Sequence, residues 1–177
     1  EPLADFLGPM VVASIERIFN RPIEILGDQR QRMHGNWKLY AENTRDPYHA
    51  SLLHLFHNTF GLYRASQQGA SLMDAAHKHS MLYTKAATTD VEVDNEIYKD
   101  SRSFNTDFTL QDPSVLAGRS EFDDGITLVI LALFPNVVIQ QIANTLAVRQ
   151  TNTLGAGQFD LVWTQFGYAD DDDEMRA

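Results

Sequence analysis

At 177 residues, 44% apolar and 10% aromatic, the chain has the size of one ordinary domain and can bury a core. A formal net charge of −10 argues against nucleic acid, since a phosphate-binding surface needs clustered Lys and Arg. No apolar run reaches the roughly 18 to 20 residues of a membrane span, so no membrane contact is expected, and the lack of cysteine removes disulfides and thiolate chemistry; a cytoplasmic setting fits both.

In chain order, apolar residues at Leu3, Phe6, Leu7, Met10, Val11, Ile15 and Ile18 predict an amphipathic helix, with Gly8-Pro9 as its start or an interruption. "RPIEILGDQRQRM" reads as extended up to Gly35. From Asn36 the pattern turns helical, with Trp37, Tyr40 and Ala41 on one side. Asp46 and Pro47 suit an N-cap and first helical position for a second helix, "PYHASLLHLFHNTF", running to Gly61. "SLMDAAHKHSMLYTKA" carries short strands, and "VDNEIYKDSRSFNTDF" suits a short helix or lid. Three strands follow: "GITLVILALF", "NVVIQQIANTLAVRQ" and "QFDLVWTQFGYA". Pro135-Asn136 separates the first two, and "TNTLGAGQ" turns into the third. "DDDDE" at 170 to 174 reads as a solvated acidic helix start. Early helices and late strands in an antiparallel meander predict an α+β domain.

Three of the six histidines, His49, His54 and His57, lie on the predicted second helix. Asp46, His49 and His54 stand at i, i+3 and i+8. On a regular helix, at about 100° per residue, His49 and His54 diverge by roughly 140°. A shared metal therefore demands a wound or broken turn between them, such as a π-type bulge. Spacing alone leaves open that these are partly buried helix residues satisfied by hydrogen bonds.

"GNWKLYAENTRDPYHASLLHLF" resembles the catalytic domain of the Rieske-type aromatic-ring-hydroxylating oxygenase large (α) subunit. The family's N-W-K…E-N…D-x-Y-H-x-x-x-x-H segment is filled by Asn36, Trp37, Lys38, Glu42, Asn43, Asp46, Tyr48, His49 and His54. "LLHLFHNTFGLYR", "LFPN", "IQQIANTLAVRQ" and "DLVWTQFGYADDDDEMR" extend the resemblance over nearly the whole chain. Within the family the chain is most similar to enzymes acting on aromatic carboxylates, such as terephthalate dioxygenase and salicylate 5-hydroxylase.

The resemblance implies a helix-grip (Bet v 1/START-like) fold, an antiparallel sheet wrapped on helices. It implies that His49 and His54 ligate a mononuclear Fe(II), with a carboxylate completing the facial triad and leaving positions for O₂. Asp46 becomes the bridge from an iron-bound histidine to a Rieske-cluster histidine on a neighbouring subunit, compatible with capping through one oxygen. Asn43 sits beside the iron approach. Electrons come from NADH through a reductase, sometimes with a ferredoxin, and the bridge implies an α-subunit trimer, often with a β subunit.

The third ligand is expected beyond Ala177; Asp170 to Asp173 match the family's helix start instead. The 2Fe-2S cluster needs cysteines that the sequence lacks, and the family carries it in an N-terminal domain. Residues 1–177 thus read as a catalytic-domain segment that should not turn over alone.

Arg149, taken as the end of a long apolar strand, is costly to bury unless paired. It matches a planar carboxylate with two parallel hydrogen bonds and is expected to hold the acid group of the substrate; an ion pair to Asp or Glu remains equally open. The apolar strands can wall a ring pocket, although alternate residues must build plain core. His57 is expected to serve packing or surface. His77 and His79 alternate as strand residues do, which gives a second metal there little support. A non-redox helix-grip module binding an apolar ligand stays the rival, and a hydrolytic zinc site fits the spacing poorly.

Overall fold

The computed structural model of the chain describes residues 1–88, 91–116 and 118–176, the backbone alone at 91–94 and 115. The elements are α1 (Leu3–Ile18), β1 (Ile23–His34), α2 (Trp37–Asn43), α3 (Ala50–Leu53), α4 (Leu55–Thr59), β2 (Gly69–Met73), β3 (Ser80–Lys85), α5 (Val91–Tyr98), β4 (Ile126–Leu133), β5 (Val137–Ile142), β6 (Thr145–Gly155), β7 (Gln158–Tyr168) and α6 (Asp173–Arg176). The described strands form one antiparallel sheet in the order β1-β7-β6-β5-β4-β3-β2. After β1 the chain crosses to the far edge and returns strand by strand, so that β7 closes against β1. The α+β antiparallel architecture expected from the sequence is the one found.

Because side chains alternate across a strand, β4 serves two compartments. Val129 and Leu131 join Ile139, Leu146 and Phe166 in a core with Val11 and Ile18 of α1. Leu128 and Ile130 face the other side, toward α2, α3 and α4. Each fully buried aliphatic side chain in this core contributes about 1.5–3 kcal/mol. Gly8 interrupts α1 at φ 73°, as Gly8-Pro9 predicts. The end of α1 is pinned by the Tyr168 hydroxyl, which donates to the Ile18 carbonyl at 2.7 Å, and by Phe19 stacked on Phe166 at 5.1 Å between centroids. Burial pushes the Tyr168 phenol up to about 12.

Several expected elements change. "NVVIQQIANTLAVRQ" is two strands joined at Ala143-Asn144, with Ile142 opposite Thr145 and Ala143 at φ 49°. That two-residue connection is a tight hairpin, which apolar continuity concealed. "TNTLG" is strand rather than turn, because Thr151, Asn152 and Thr153 pair with β7. Arg149 consequently lies mid-strand, opposite Trp163 and Val138, and not at a strand end. His77, at φ 55°, and His79 belong to the connection between β2 and β3 and not to a strand. The strand boundary at Pro135-Asn136, the helix within 91–98 and the acidic start of α6 are found as expected.

Candidate functional site

The predicted second helix is broken. Residues 47–49 form a bend and turn, α3 ends after Leu53, and His54 takes φ −90°, ψ 83° before α4 begins. The cause lies beneath it. Asn58, fully buried, donates its side-chain amide to the Ser51 carbonyl at 3.2 Å, and the Ser103 hydroxyl donates to the same oxygen. In a continuous helix that carbonyl would take the Leu55 amide. Two side chains have taken its place, and the chain turns at His54. The break is of the kind that a shared metal demands, without a π-type bulge.

It brings the His49 and His54 rings to 4.9 Å between centroids, edge to face. Asp46 does not cap a helix, and Pro47 is not its first residue; α3 begins at Ala50. Asp46 instead accepts the Tyr48 amide through Oδ1 at 2.8 Å, while its Oδ2 stands 3.3 Å from Nδ1 of His49. That approach is not an aligned hydrogen bond, and among the described residues the buried Nδ1 of His49 has no other partner. The Tyr48 amide, above all, and the neighbouring His49 hold the Asp46 carboxyl below its ordinary range. On the far side of the ring, Asn43 reaches Nε2 of His49 at 3.1 Å. If Asn43 donates there, the proton of the neutral ring sits on Nδ1 toward Asp46, and Nε2 keeps a lone pair. Burial, then the neighbouring His49, lowers the pKa of His54, which favours its neutral imidazole.

These residues line one cavity of about 380 Å³ with Leu82, Leu128, Ile130, Gln140, Ile142, Arg149 and Trp163. All five residues singled out in the sequence, Asn43, Asp46, His49, His54 and Arg149, lie on its wall. Arg149 is 9% exposed, donates Nη1 to the Tyr40 hydroxyl at 3.0 Å, and places its guanidinium 4.8 Å over the Trp163 ring. Among the described residues it has no carboxylate partner, and its buried Nε has no hydrogen-bond partner. The strand-end ion pair is therefore not what holds it.

His57, expected at packing or surface, also lines the cavity, its ring 5.3 Å from that of His54, and burial lowers its pKa first. Sequence reasoning also missed Tyr40 and Trp163. Trp163 could have been found from strand alternation, once β6 and β7 were paired across Arg149. His79 is fully buried, accepts the Phe134 amide at Nδ1 (3.1 Å) and donates from Nε2 to the Phe6 carbonyl (3.0 Å). With both nitrogens engaged by backbone it cannot serve a metal.

Imidazole is a donor that suits a divalent transition metal. Two imidazoles converge, one with a carboxylate at its outer nitrogen, and among the described residues no group of three His, Cys, Asp or Glu could hold a metal.

The family described as "Ring hydroxylating alpha subunit (catalytic domain)" matches residues 23–176. The chain belongs to that family. This ring-hydroxylating alpha-subunit catalytic domain is 45% identical over 176 residues to the terephthalate 1,2-dioxygenase terminal oxygenase component subunit alpha 2 of Comamonas sp., covering 98% of the chain and 42% of that protein. It is 46% identical over 176 residues to the anthranilate 1,2-dioxygenase large subunit of Burkholderia cepacia, with 99% and 42% covered. It is 41% identical over 177 residues to the salicylate 5-hydroxylase large oxygenase component of Ralstonia sp., with 98% and 41% covered. The domain thus spans about two fifths of these relatives, two of which carry the activities expected from the sequence. Naphthalene 1,2-dioxygenase from Rhodococcus sp. bound to indole shares the fold, with TM-score 0.70 at 18% identity, covering 99% of the chain and 43% of that one.

Proposed function

We propose that this chain is the catalytic segment of a Rieske non-haem iron oxygenase that hydroxylates the ring of an aromatic carboxylate. One observation supports the substrate class: a buried guanidinium, without a carboxylate partner among the described residues, shares a cavity with two converging histidines. Arg149 binds the acid group, with Tyr40 and Trp163 holding its plane, while Leu128, Ile130 and Ile142 exclude water from the ring. Family membership favours this over the non-redox module.

His49 and His54 would hold the Fe(II), Nε2 being the nitrogen of His49 that keeps a lone pair when the Nδ1 proton faces Asp46. When bound, that metal supplies O₂ activation, with the third ligand outside residues 1–177. Asn43 now contacts the same Nε2 and would yield that contact to the metal. Asp46 stands beside Nδ1 of His49 and keeps 46% of its side chain exposed, suited to a partner's Rieske-cluster histidine. Around it Tyr48, Leu52, Leu53 and Phe56 leave apolar surface exposed, which supports docking of a neighbouring α subunit there. The 2Fe-2S cluster, fed from NADH through a reductase or ferredoxin, belongs to a domain outside this chain, and a trimer, with or without β subunits, follows from the cross-subunit bridge.

The test is kinetic. In the complete enzyme, Arg149→Ala should raise KM for the aromatic acid at least roughly tenfold while leaving an uncharged analogue nearly unchanged. Equal effects on both would reject the carboxylate assignment.

A further inference from the structure

Arg149 also lines a second, smaller cavity of about 20 Å³, whose wall includes another arginine, Arg45. Three neighbouring polar side chains are hydrogen-bonded to the backbone. Thr44 donates its hydroxyl to the Ala41 carbonyl at 2.8 Å, Asn136 donates its amide to the Thr151 carbonyl at 2.9 Å, and Thr151 returns its hydroxyl to the Asn136 carbonyl at 3.4 Å. What is left over is cationic. Nε of Arg45 and Nε of Arg149 are both buried, and among the described residues neither has a hydrogen-bond partner. Among the described residues no carboxylate pairs with either.

Two guanidinium groups lining one small cavity repel each other, and each holds a buried N–H that wants an acceptor. Water could accept a hydrogen bond but would leave both charges uncompensated. A carboxylate, sulfate or phosphate is too large, since the space matches about one water-sized occupant. We propose that Arg45 and Arg149 share a monoatomic halide, chloride in a cell, bound in this cavity. The ion accepts from both Nε–H groups and fixes the Arg149 plane, leaving the rest of its fork for the larger cavity. The site shares Arg149 with the substrate assignment above, but it requires neither iron nor a particular substrate.

The experiment uses the complete enzyme. Crystals soaked in sodium bromide should show an anomalous peak within hydrogen-bond reach of Nε of Arg45 and Nε of Arg149, lost in Arg45→Gln. In solution, replacing isethionate by chloride at constant ionic strength should raise Tm saturably in the parent and not in Arg45→Gln. A bromide peak only elsewhere, a side-chain carboxylate on these N–H groups in the complete enzyme, or identical Tm curves in the two anions would each overturn the proposal. None of these readouts depends on turnover, so a failed substrate assignment would leave them unchanged.

Discussion

The side-chain amide of Asn58 donates to the carbonyl of Ser51 at 3.2 Å, and this bond between two buried residues lies at the break that separates His49 from His54. It occupies the acceptor that a continuous helix would use and turns the chain at His54. Replacing Asn58 by Leu should leave Ser51 one donor short. A destabilisation of about 1–3 kcal/mol by urea titration is expected, with a loss of Fe(II) affinity larger than stability alone explains. Unchanged iron affinity in a folded variant would show that the break does not depend on Asn58.

Asp46→Asn separates metal binding from what the carboxylate does. The amide oxygen can still accept from Tyr48, so the turn should survive, but the negative charge beside Nδ1 of His49 is lost. The complete enzyme should retain its iron while turnover falls by roughly 10-fold or more. Iron content by metal analysis, read beside the rate, decides this; loss of both together would make Asp46 a structural residue.

Fe(II) added anaerobically to the complete enzyme should bind near one equivalent per α subunit at the mononuclear site, and His49→Ala/His54→Ala should abolish that equivalent. His57→Gln, by contrast, should keep it. If His57→Gln loses the iron as fully as the double variant, the ligand assignment is wrong.

His79→Gln offers a control away from the site. It removes one or both backbone hydrogen bonds to Phe6 and Phe134 in a fully buried position, and should cost about 1–3 kcal/mol. The iron stoichiometry should not change, because neither nitrogen is free for a metal.

Tyr168 sets an alkaline limit. Its phenol is 1% exposed, and burial pushes it up to about 12, against about 10 when unfolded, so the folded state prefers the protonated form. The contribution is fully present below pH 10 and declines as pH rises from about 10 to about 12, because there the unfolded chain holds fewer protons. The loss is on the order of 2–3 kcal/mol and should be absent in Tyr168→Phe, as pH-dependent denaturation would show.

The order Asn43, Asp46, His49, His54 was legible through its resemblance to a family motif and Arg149 through its place in an apolar strand, and every residue so nominated lines the cavity. Period-two alternation likewise divides β4 between core and cavity, as it does in any strand. What remained hidden depended on groups distant in sequence. Asn58 and Ser103 converge on Ser51 from 7 and 52 residues away, and no helical periodicity records that competition for one carbonyl. The hairpin at Ala143-Asn144 was masked because its apolar flanks look like one strand until a partner fixes the register. Sequence determined which side chains were available; tertiary structure decided which of them meet, because a buried carbonyl must find its donors wherever the fold supplies them.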